Sequence, residues 1–297
     1  MMYFVTGVKG QLGYDVMNEL ISRGYECVGS DIAPDCDNIA APYVSLDITD
    51  KSDVLRTISE VSPDVVVHCA AWTAVDLAEE DENIDKVNKI NVFGTENIAL
   101  ACKNIGAKMI YISTDYVFDG QGEVPWEPDC QDYSPLNVYG KSKLEGEIAV
   151  SETLDRYFIV RIAWVFGKNG KNFIKTMLSL SEKYDTLRVV SDQIGTPTYT
   201  YDLARLLVDM SETDKYGYYH ATNEGGYISW YDFAVEIFRQ AEKNMTVIPV
   251  TTSEYDLSKA ARPFNSRLDK SKLAENGFKP LPTWQDALSR YLKEIEV

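Results

Sequence analysis

The sequence predicts an α/β protein with a doubly wound parallel sheet, followed by a smaller and mostly helical C-terminal lobe. Three features of the 297-residue chain predict this fold. Short β-branched runs alternate with helical patterns through the first half, as they do when parallel strands are joined by crossover helices. A glycine-rich turn joins the first strand to the first helix. After residue 166 the runs shorten and helical patterns dominate, so the sheet is expected to be of Rossmann type and to lie mainly in the first half.

The individual elements follow from hydrophobic periodicity. Strands are predicted at residues 3–6, 25–30, 43–46, 64–68, 108–112 and 157–161. Helices are predicted at residues 11–22, 50–61 and 76–102, within 134–150, and at 172–183, 200–212 and 229–241. We therefore expect a nucleotide-binding domain at residues 1–166, with some later segments returning to it, and a separate lobe that makes up most of residues 167–297.

The composition disfavours several classes of function. With 29 Lys and Arg against 46 Asp and Glu, the formal net charge of −17 argues against a nucleic-acid partner. One of the longest apolar runs, residues 65–72, is far shorter than the ~20 residues that cross a bilayer, so no membrane span is expected. Scattered cysteines without a CxxC motif indicate reduced thiols and a cytoplasmic protein. Two histidines are too few for a His-rich metal centre, and no metal is expected.

The turn after the first strand, residues 5–13 (VTGVKGQLG), has the spacing GxxGxxG rather than GxGxxG. Gly7, Gly10 and Gly13 would let the chain turn tightly and let a pyrophosphate approach the backbone. The next helix would face the phosphates with free N–H groups. A plain turn is the alternative, but the position between the first strand and the first helix favours a dinucleotide site.

Asp31 ends the second predicted strand, where a carboxylate accepts hydrogen bonds from the adenosine ribose and repels a 2′-phosphate. This favours NADH, although an aspartate that merely begins a turn is the alternative. Lys9, inside the glycine turn, is placed to reach a 2′-phosphate, so NADH or NADPH is expected, with a preference for NADH. Further candidate cofactor contacts lie at or after the ends of later strands: Asp47, Ile48, Cys69, Ala70, Ala71 and Ile112.

Tyr139 and Lys143 are four residues apart, a spacing that places both on one face of a helix. An ammonium beside a phenol favours the phenolate, lowers its pKa and makes the tyrosine useful in proton transfer. Taken alone, the pair is more typical of a surface helix. However, Thr114 follows the fifth strand, where its hydroxyl can orient a substrate carbonyl, and Asn91 is a candidate to hold a water.

With these residues in this order, the sequence resembles the extended short-chain dehydrogenase/reductase family over essentially its whole length. The resemblance rests on residues 70–76 (AAWTAVD), 91–97 (NVFGTEN), 112–120 (ISTDYVFDG), 135–147 (PLNVYGKSKLEGE), 164–167 (WVFG), 172–178 (NFIKTML), 192–198 (DQIGTPT) and 261–268 (ARPFNSRL). The last two segments discriminate best, because a general dinucleotide fold does not require them.

The resemblance implies a hydride passed from NADH or NADPH to the C4 carbonyl of a nucleotide sugar, dTDP-4-dehydro-L-rhamnose, giving dTDP-L-rhamnose. Tyr139 would protonate the alkoxide, and Lys143 would tune Tyr139 and hold the nicotinamide ribose. Thr114 would bind the substrate oxygen, and Asp115 and Trp164 would contact the sugar. The lobe at residues 167–297 is expected to be mainly substrate-binding. The implied pyrophosphate contacts are Gly10, Gln11 and Leu12.

Arg262 and Arg267 would meet the nucleotide phosphates or serve in surface ion pairs. The chain departs from the family pattern at His68 and Cys69, where Asn-Ala is expected, and at Trp72, where His or Tyr is common. Trp72 would reshape the cleft near the nicotinamide.

Two other functions stay open: a non-catalytic subunit that binds NADP(H), and another sugar-nucleotide ketoreductase or epimerase. The resemblance also allows a homodimer.

Overall fold

The computed structural model describes residues 1–36, 39–255 and 258–296. The strands are β1 Met2–Thr6, β2 Glu26–Asp31, β3 Tyr43–Ser45, β4 Val65–His68, β5 Lys108–Thr114, β6 Tyr157–Ile162, β7 Val165–Phe166, β8 Thr186–Val190, β9 Ile194–Gly195, β10 Thr198–Tyr199, β11 Gly217–His220, β12 Ile228–Ser229 and β13 Thr246–Val250. The helices are α1 Gln11–Ser22, α2 Lys51–Val61, α3 Val75–Ala78, α4 Asp81–Asn88, α5 Thr95–Ile105, α6 Val138–Thr153, α7 Phe173–Ser181, α8 Thr200–Ser211, α9 Trp230–Gln240, α10 Thr252–Tyr255, α11 Ser271–Glu275 and α12 Trp284–Glu294.

Within these residues, seven parallel strands form the central sheet in the order β11-β6-β5-β4-β1-β2-β3. The chain moves outward from β1 in one direction through β2 and β3, and in the other through β4, β5, β6 and β11. The strand order therefore reverses between β1 and β4, and ligands of such sheets bind beyond the carboxyl ends of the strands at this point. The predicted doubly wound parallel sheet is confirmed.

Helices cover both faces of the sheet, and β4 shows how the sequence specifies this. Val65 and Val67 enter the core beneath α1 and α8, whereas Val66 enters the core beneath α2 and α5. All three side chains are buried. Since successive residues of a strand point to opposite faces, a continuous valine run fits a strand that is covered on both sides.

The start of α6 is defined by two local contacts. The Asn137 side chain accepts a hydrogen bond from Gly140 N at 2.7 Å, which caps the helix. A Cβ atom on Gly140 would lie 2.3 Å from the carbonyl oxygen of Tyr116, so the helix meets the segment after β5 closely because residue 140 is glycine. As a result, Tyr139 lies in the first turn of α6 and Lys143 one turn later.

The helical region predicted at residues 76–102 is not one continuous helix. It divides into α3, α4, a π-helical segment Lys89–Gly94, and α5. A Cβ atom on Gly94 would lie 2.7 Å from Ile48 Cδ1, so the π-helical segment passes very close to the loop after β3. The Thr95 hydroxyl also donates to the carbonyl of Asn91 at 2.7 Å. Such π-helical turns often redirect a side chain toward a functional site, and here they direct Asn91 toward α6.

Residues after 166 contribute to the sheet as well as to a lobe. β11 pairs with β6 at one edge, and α8 packs on α1. The remaining elements form two-stranded sheets around a second core rich in aromatic side chains. The division of the chain at residue 166 stays a prediction. Over the described ranges, no helix is long and apolar enough to cross a membrane.

Candidate active site

The glycine turn between β1 and α1 is closed by packing of backbone on backbone. Gly7 has a φ of 70°, and a Cβ atom there would lie 2.6 Å from Ala70 N. A Cβ atom on Gly13 would lie 2.3 Å from the carbonyl oxygen of Gly7. Both positions therefore require glycine, one for its conformation and both for lack of space. The turn brings the N-terminus of α1 close to the ends of β1 and β4, which is the arrangement that binds a pyrophosphate.

A cavity of about 620 Å³ opens at the carboxyl ends of β1, β2, β4 and β5. Apart from Arg262 and Arg267, the residues that the sequence analysis assigned to cofactor or substrate all lie around it: Gly7, Gly10, Gln11, Leu12, Gly13, Asp31, Asp47, Ile48, Cys69, Ala70, Ala71, Ile112, Thr114, Asp115, Tyr139, Lys143 and Trp164. Their roles remain predictions, but their convergence shows that the motifs belong to one site.

At one end of the cavity, Asp31 and Lys9 lie together. Asp31 Oδ2 accepts a hydrogen bond from the backbone N–H of Lys9 at 3.0 Å. The Lys9 ammonium donates to the carbonyl of Asp35 at 3.1 Å, and its side chain is 44% exposed. Ile32 also lines this end and is 70% exposed, which provides an apolar surface beside the carboxylate. This end therefore offers an acceptor, a partly exposed cation and an apolar face to a nucleoside.

Tyr139 is half-buried at the other end of the cavity, with its ring edge-on to the ring of Tyr116 at a centroid distance of 5.7 Å. Burial, and next the carboxylate of Asp115, raise the pKa of Tyr139 above its usual 10. The sequence spacing predicts a pKa lowered by Lys143, and this prediction is wrong, because desolvation of the phenolate dominates. The phenol is therefore neutral at neutral pH.

Thr114 and Asp115 lie beside Tyr139 at the end of β5. The Thr114 hydroxyl donates to Asp115 Oδ1 at 3.0 Å, and the hydroxyl of Ser266, from the C-terminal part of the chain, donates to Asp115 Oδ2. Burial raises the pKa of Asp115 to about 6, partly offset by these two hydrogen bonds. Ser266 belongs to the segment 261–268 that carried the family resemblance, so its contact with the site explains why that segment discriminates.

Lys143 is 3% exposed, and its ammonium lies 4.0 Å from the centroid of the Tyr111 ring. Burial lowers its pKa to about 7, although the nearby charge of Glu147 acts in the opposite direction. Among the described residues, the ammonium forms no salt bridge within 4.0 Å. Lys143 thus presents an unpaired and only partly ionised amine to the cavity.

The polar groups of the cavity test whether a dinucleotide fits it. The hydroxyls of Ser30 and Ser113 are buried, line the cavity and have no hydrogen-bond partner among the described residues. Buried polar atoms without a partner are rare in folded proteins, and a ligand with hydroxyl or amide groups would satisfy them. The close backbone packing at Gly7 and the small side chains Cys69–Ala71 leave room for such a ligand. The residues fit a nicotinamide dinucleotide.

Trp164 forms the wall of the cavity on the side of the C-terminal lobe. It has a φ of 51°, a left-handed conformation that non-glycine residues seldom adopt. Its ring stacks on Trp230 with a centroid distance of 3.8 Å, and a Cβ atom on Gly195 would lie 2.9 Å from Trp164 Cε2. Trp230 also lines the cavity and was missed in the sequence. The stacking on Trp230 and the close contact with Gly195 hold Trp164 in this strained conformation.

Of the departures from the family pattern, His68 has a structural explanation, whereas Trp72 does not line the cavity. His68 is buried and neutral, since burial lowers its pKa to about 3. Its Nδ1 lies 2.7 Å from the Thr6 hydroxyl and its Nε2 lies 3.2 Å from the Thr95 hydroxyl. Thr95 donates to a carbonyl, so Nε2 donates to Thr95 and Nδ1 accepts from Thr6. His68 therefore ties β1 to α5 across β4 without adding charge to the site.

The side chain of Asn91 is hydrogen-bonded within the protein, and its role as a water holder stays a prediction. Its Oδ1 accepts from Trp72 N at 2.8 Å, and its Nδ2 donates to Trp72 O at 3.1 Å and to the Ser142 hydroxyl at 2.9 Å. Both amide hydrogens and the carbonyl are thus used within the protein. Asn91 joins the loop after β4 to α6, one residue before Lys143, and fixes the backbone of Trp72.

Neither Arg262 nor Arg267 lines the cavity. Arg262 donates to Asp76 Oδ2 at 2.6 Å and to the Tyr116 hydroxyl at 3.2 Å, so it serves the ion-pair alternative. Arg267 donates to the side chain of Asn265. Within the described residues, no group of three or more His, Cys, Asp or Glu side chains is positioned to hold a metal ion.

The site and the sheet define the class of protein. A doubly wound sheet in which a Tyr-xxx-Lys helix borders the dinucleotide cavity is the arrangement of the short-chain dehydrogenases/reductases, which are nicotinamide-dependent oxidoreductases. The model of one family, described as the RmlD substrate binding domain, matches residues 1–297, and the chain belongs to this family.

Three relatives place the chain within this family. The spore coat polysaccharide biosynthesis protein SpsK of Bacillus subtilis is 40% identical over 290 residues, covering 98% of this chain and 96% of that protein. A crystal structure of a dTDP-4-dehydrorhamnose reductase from Clostridium acetobutylicum has a TM-score of 0.92 at 39% identity and covers 100% of both chains. A dTDP-4-dehydrorhamnose reductase from Bacillus anthracis in complex with NADP has a TM-score of 0.90 at 39% identity and covers 99% of both chains.

Proposed function

We propose that this protein uses NADH or NADPH to reduce the C4 keto group of dTDP-4-dehydro-L-rhamnose to the alcohol of dTDP-L-rhamnose. The observation that carries the proposal is the convergence of a neutral phenol, an unpaired amine and a strand-end hydroxyl on one dinucleotide cavity: Tyr139, Lys143 and Thr114. Two solved structures that resemble the chain over their full length are dTDP-4-dehydrorhamnose reductases, which supports the substrate.

The cofactor supplies a hydride when it is bound, and the residues of the chain determine where it lies. The glycine turn and the N-terminus of α1 would hold the pyrophosphate with backbone N–H groups. Asp31 would accept from the adenosine ribose, and Lys143 would donate to the nicotinamide ribose. The hydroxyls of Ser30 and Ser113 are further donors in the same cavity.

The raised pKa of Tyr139 gives the direction of the proton transfer. Reduction of a ketone needs an acid that still carries its proton at neutral pH, and a buried, neutral phenol meets this requirement. The Thr114 hydroxyl, which now donates to Asp115, would turn to the substrate oxygen and orient it. In its charged form, Lys143 would stabilise the phenolate that remains after the proton has moved.

The sugar would lie between the end of β5 and the lobe. Asp115 and Trp164 line the cavity there, and Trp230 extends the aromatic wall. A flat aromatic surface opposite a carboxyl group suits a deoxy sugar, which has apolar C–H faces and polar hydroxyl edges. This makes the aromatic pair part of the substrate site rather than of the cofactor site.

Both cofactors are included in the proposal, with a preference for NADH. Asp31 Oδ1, which accepts no hydrogen bond from the residues that the structure describes, favours two ribose hydroxyls over a 2′-phosphate. Lys9 is exposed enough to leave Asp35 and pair with a 2′-phosphate, which supports use of NADPH as well.

The proposal also includes a cytoplasmic homodimer. Light scattering, with an expected mass of about twice 33.5 kDa, tests the dimer.

The experiment is oxidation of NADH and of NADPH by purified protein in the presence of dTDP-4-dehydro-L-rhamnose, followed by identification of the product sugar. Stoichiometric loss of the reduced cofactor and formation of dTDP-L-rhamnose are expected. No turnover with intact cofactor binding would instead indicate the non-catalytic subunit. An epimerase would retain its cofactor through purification and consume none, and a different C4 stereochemistry would identify another ketoreductase.

A further inference from the structure

Beneath the Tyr–Lys pair lies an aromatic side chain that does not line the cavity. Tyr111, in β5, is completely buried, and the Lys143 ammonium rests on its ring at 4.0 Å from the centroid. We propose that the ring of Tyr111 is a positioning group that keeps Lys143 charged and aimed at the cofactor cavity. The inference deepens the proposed function, since it assigns a support to the amine on which that function relies.

Two contacts with α6 fix the position of the Tyr111 ring. Its hydroxyl donates to the carbonyl of Lys143 at 3.3 Å, so the ring and the backbone that carries the lysine are linked directly. A Cβ atom on Gly146 would lie 2.2 Å from the Tyr111 hydroxyl oxygen. The helix therefore contacts the ring only because residue 146 is glycine. This contact explains the glycine in the segment KLEGE.

The ionisable groups around Lys143 leave the ammonium without a free counter-charge. The thiol of Cys69 is neutral, since burial raises its pKa to about 12. His68, whose ring lies beside that of Tyr111 at 5.9 Å, is also neutral because burial lowers its pKa. The phenol of Tyr139 keeps its proton, since burial and the charge of Asp115 raise its pKa.

The carboxylate of Glu147, one turn beyond Lys143 on α6, is already bound to another residue. Both oxygens of Glu147 accept hydrogen bonds from the guanidinium of Arg161, at 2.8 and 2.7 Å, so its charge is compensated. The negative face of the Tyr111 ring is then the contact that attracts the ammonium directly. An ammonium above an aromatic face in a desolvated site is stabilised strongly enough to change a pKa by about one unit.

The closing experiment measures the charge of Lys143 directly. Protein labelled with ¹³C at lysine Cε is titrated from pH 5 to 10 by NMR, and the resonance that disappears in Lys143→Met is assigned to Lys143. The titration is repeated with Tyr111→Phe, with Tyr111→Leu, and with phenylalanines that carry one to three ring fluorines at position 111. Fluorination keeps the shape of the ring and withdraws electron density from its face, so these variants keep the packing.

Tyr111→Phe is expected to leave the Lys143 midpoint nearly unchanged. The fluorinated series should lower it stepwise, and Tyr111→Leu should lower it by about one unit. A midpoint that does not respond to fluorination would overturn the proposal, even if Tyr111→Leu proved unstable. Because the titration uses no substrate, its result is separate from the proposed function: a stepwise shift in a protein that does not reduce the sugar would refute only the activity.

Discussion

Lys143 and Glu147 lie one turn apart on α6, and both are almost fully buried, at 3% and 1% exposure. Their charges are nevertheless surrounded very differently. Glu147 is held by Arg161 through two hydrogen bonds, at 2.8 and 2.7 Å. The other donors of Arg161 are also satisfied, by Pro128 O, Tyr133 Oη and His220 Nε2. Lys143, in contrast, forms no salt bridge within the described ranges and faces the cavity.

The difference shows how the two halves of one helix divide structure and function. A buried charge that serves the fold has its partners inside the protein, because an unpaired one would be desolvated without compensation. A buried charge that lacks such partners destabilises the fold and is explained by a ligand that completes it. On this reasoning, the second half of α6 anchors the helix to β6, and the residues of the proposed chemistry lie in the first half.

The largest expected effect is on catalysis, at the first turn of α6. Tyr139→Phe removes the proton donor and little packing, so turnover should fall roughly 10²–10⁴-fold, the usual range for loss of a general acid. Steady-state kinetics give turnover, and fluorescence titration with NADH gives the cofactor Kd, which should change little. Near-normal turnover would show that Tyr139 is not the acid.

The second effect concerns stability, one turn beyond Lys143. Glu147→Gln leaves the Arg161 charge buried without its partner and should lower the free energy of unfolding by about 3–5 kcal/mol. Urea titration measures it. Glu152→Gln, at an exposed position of the same helix, is the matched control and should change stability by less than about 0.5 kcal/mol. Equal effects of the two substitutions would refute the structural role of the pair.

The third effect concerns Asp31, a carboxylate outside α6, and again compares an oxygen paired within the protein with one left for a ligand. Over the described residues, Oδ2 is bonded to Lys9 N, whereas no hydrogen bond to Oδ1 is found. Asp31→Ala should weaken NADH and shift the ratio of kcat/KM for NADPH over NADH upward by roughly tenfold. Glu26→Ala removes an exposed carboxylate at the other end of β2 and should leave the ratio nearly unchanged. The same shift in both variants would mean that net charge alone sets the preference.

Much of the nucleotide-binding half could be predicted from the sequence. The six predicted strands correspond to β1–β6 within one or two residues at each end, because a doubly covered strand has an apolar pattern that few other structures need. The predicted helix at residues 11–22 has those bounds in α1. Gly7 and Asp31 were found for the same reason: their roles depend on position at a strand end, which local sequence reveals.

The rest depends on contacts between distant segments. β11 adds a strand to the sheet only after an intervening lobe, so periodicity gives no sign of its partner β6. Trp230 joins the site by stacking on Trp164 from another helix, and Ser266 reaches Asp115 from near the end of the chain. Tyr111 looked like an ordinary core residue of β5. The direction of the Tyr139 pKa was mispredicted because helical spacing reveals a neighbour but not burial.

The central claim is that Lys143 is kept buried and unpaired at the expense of stability, and Lys143→Met tests it most directly. The pKa of Lys143 is about 7 in the folded protein, below the usual value of about 10.4, so the unfolded chain binds more protons between these two pH values. The stability of the wild-type protein therefore rises with pH across that window. Lys143 destabilises the folded protein most below pH 7. Methionine does not ionise, so it adds no such pH dependence to the stability of the variant.

The measurement is the free energy of unfolding of the wild-type protein and Lys143→Met, by urea titration at pH 7 and pH 9.5. At pH 7 the variant should be more stable by on the order of 1 kcal/mol or more, and the difference should shrink at pH 9.5. Its turnover and its affinity for the cofactor should nevertheless be lower. A variant that is less stable than the wild-type protein at pH 7, as Glu147→Gln is expected to be, would contradict the account.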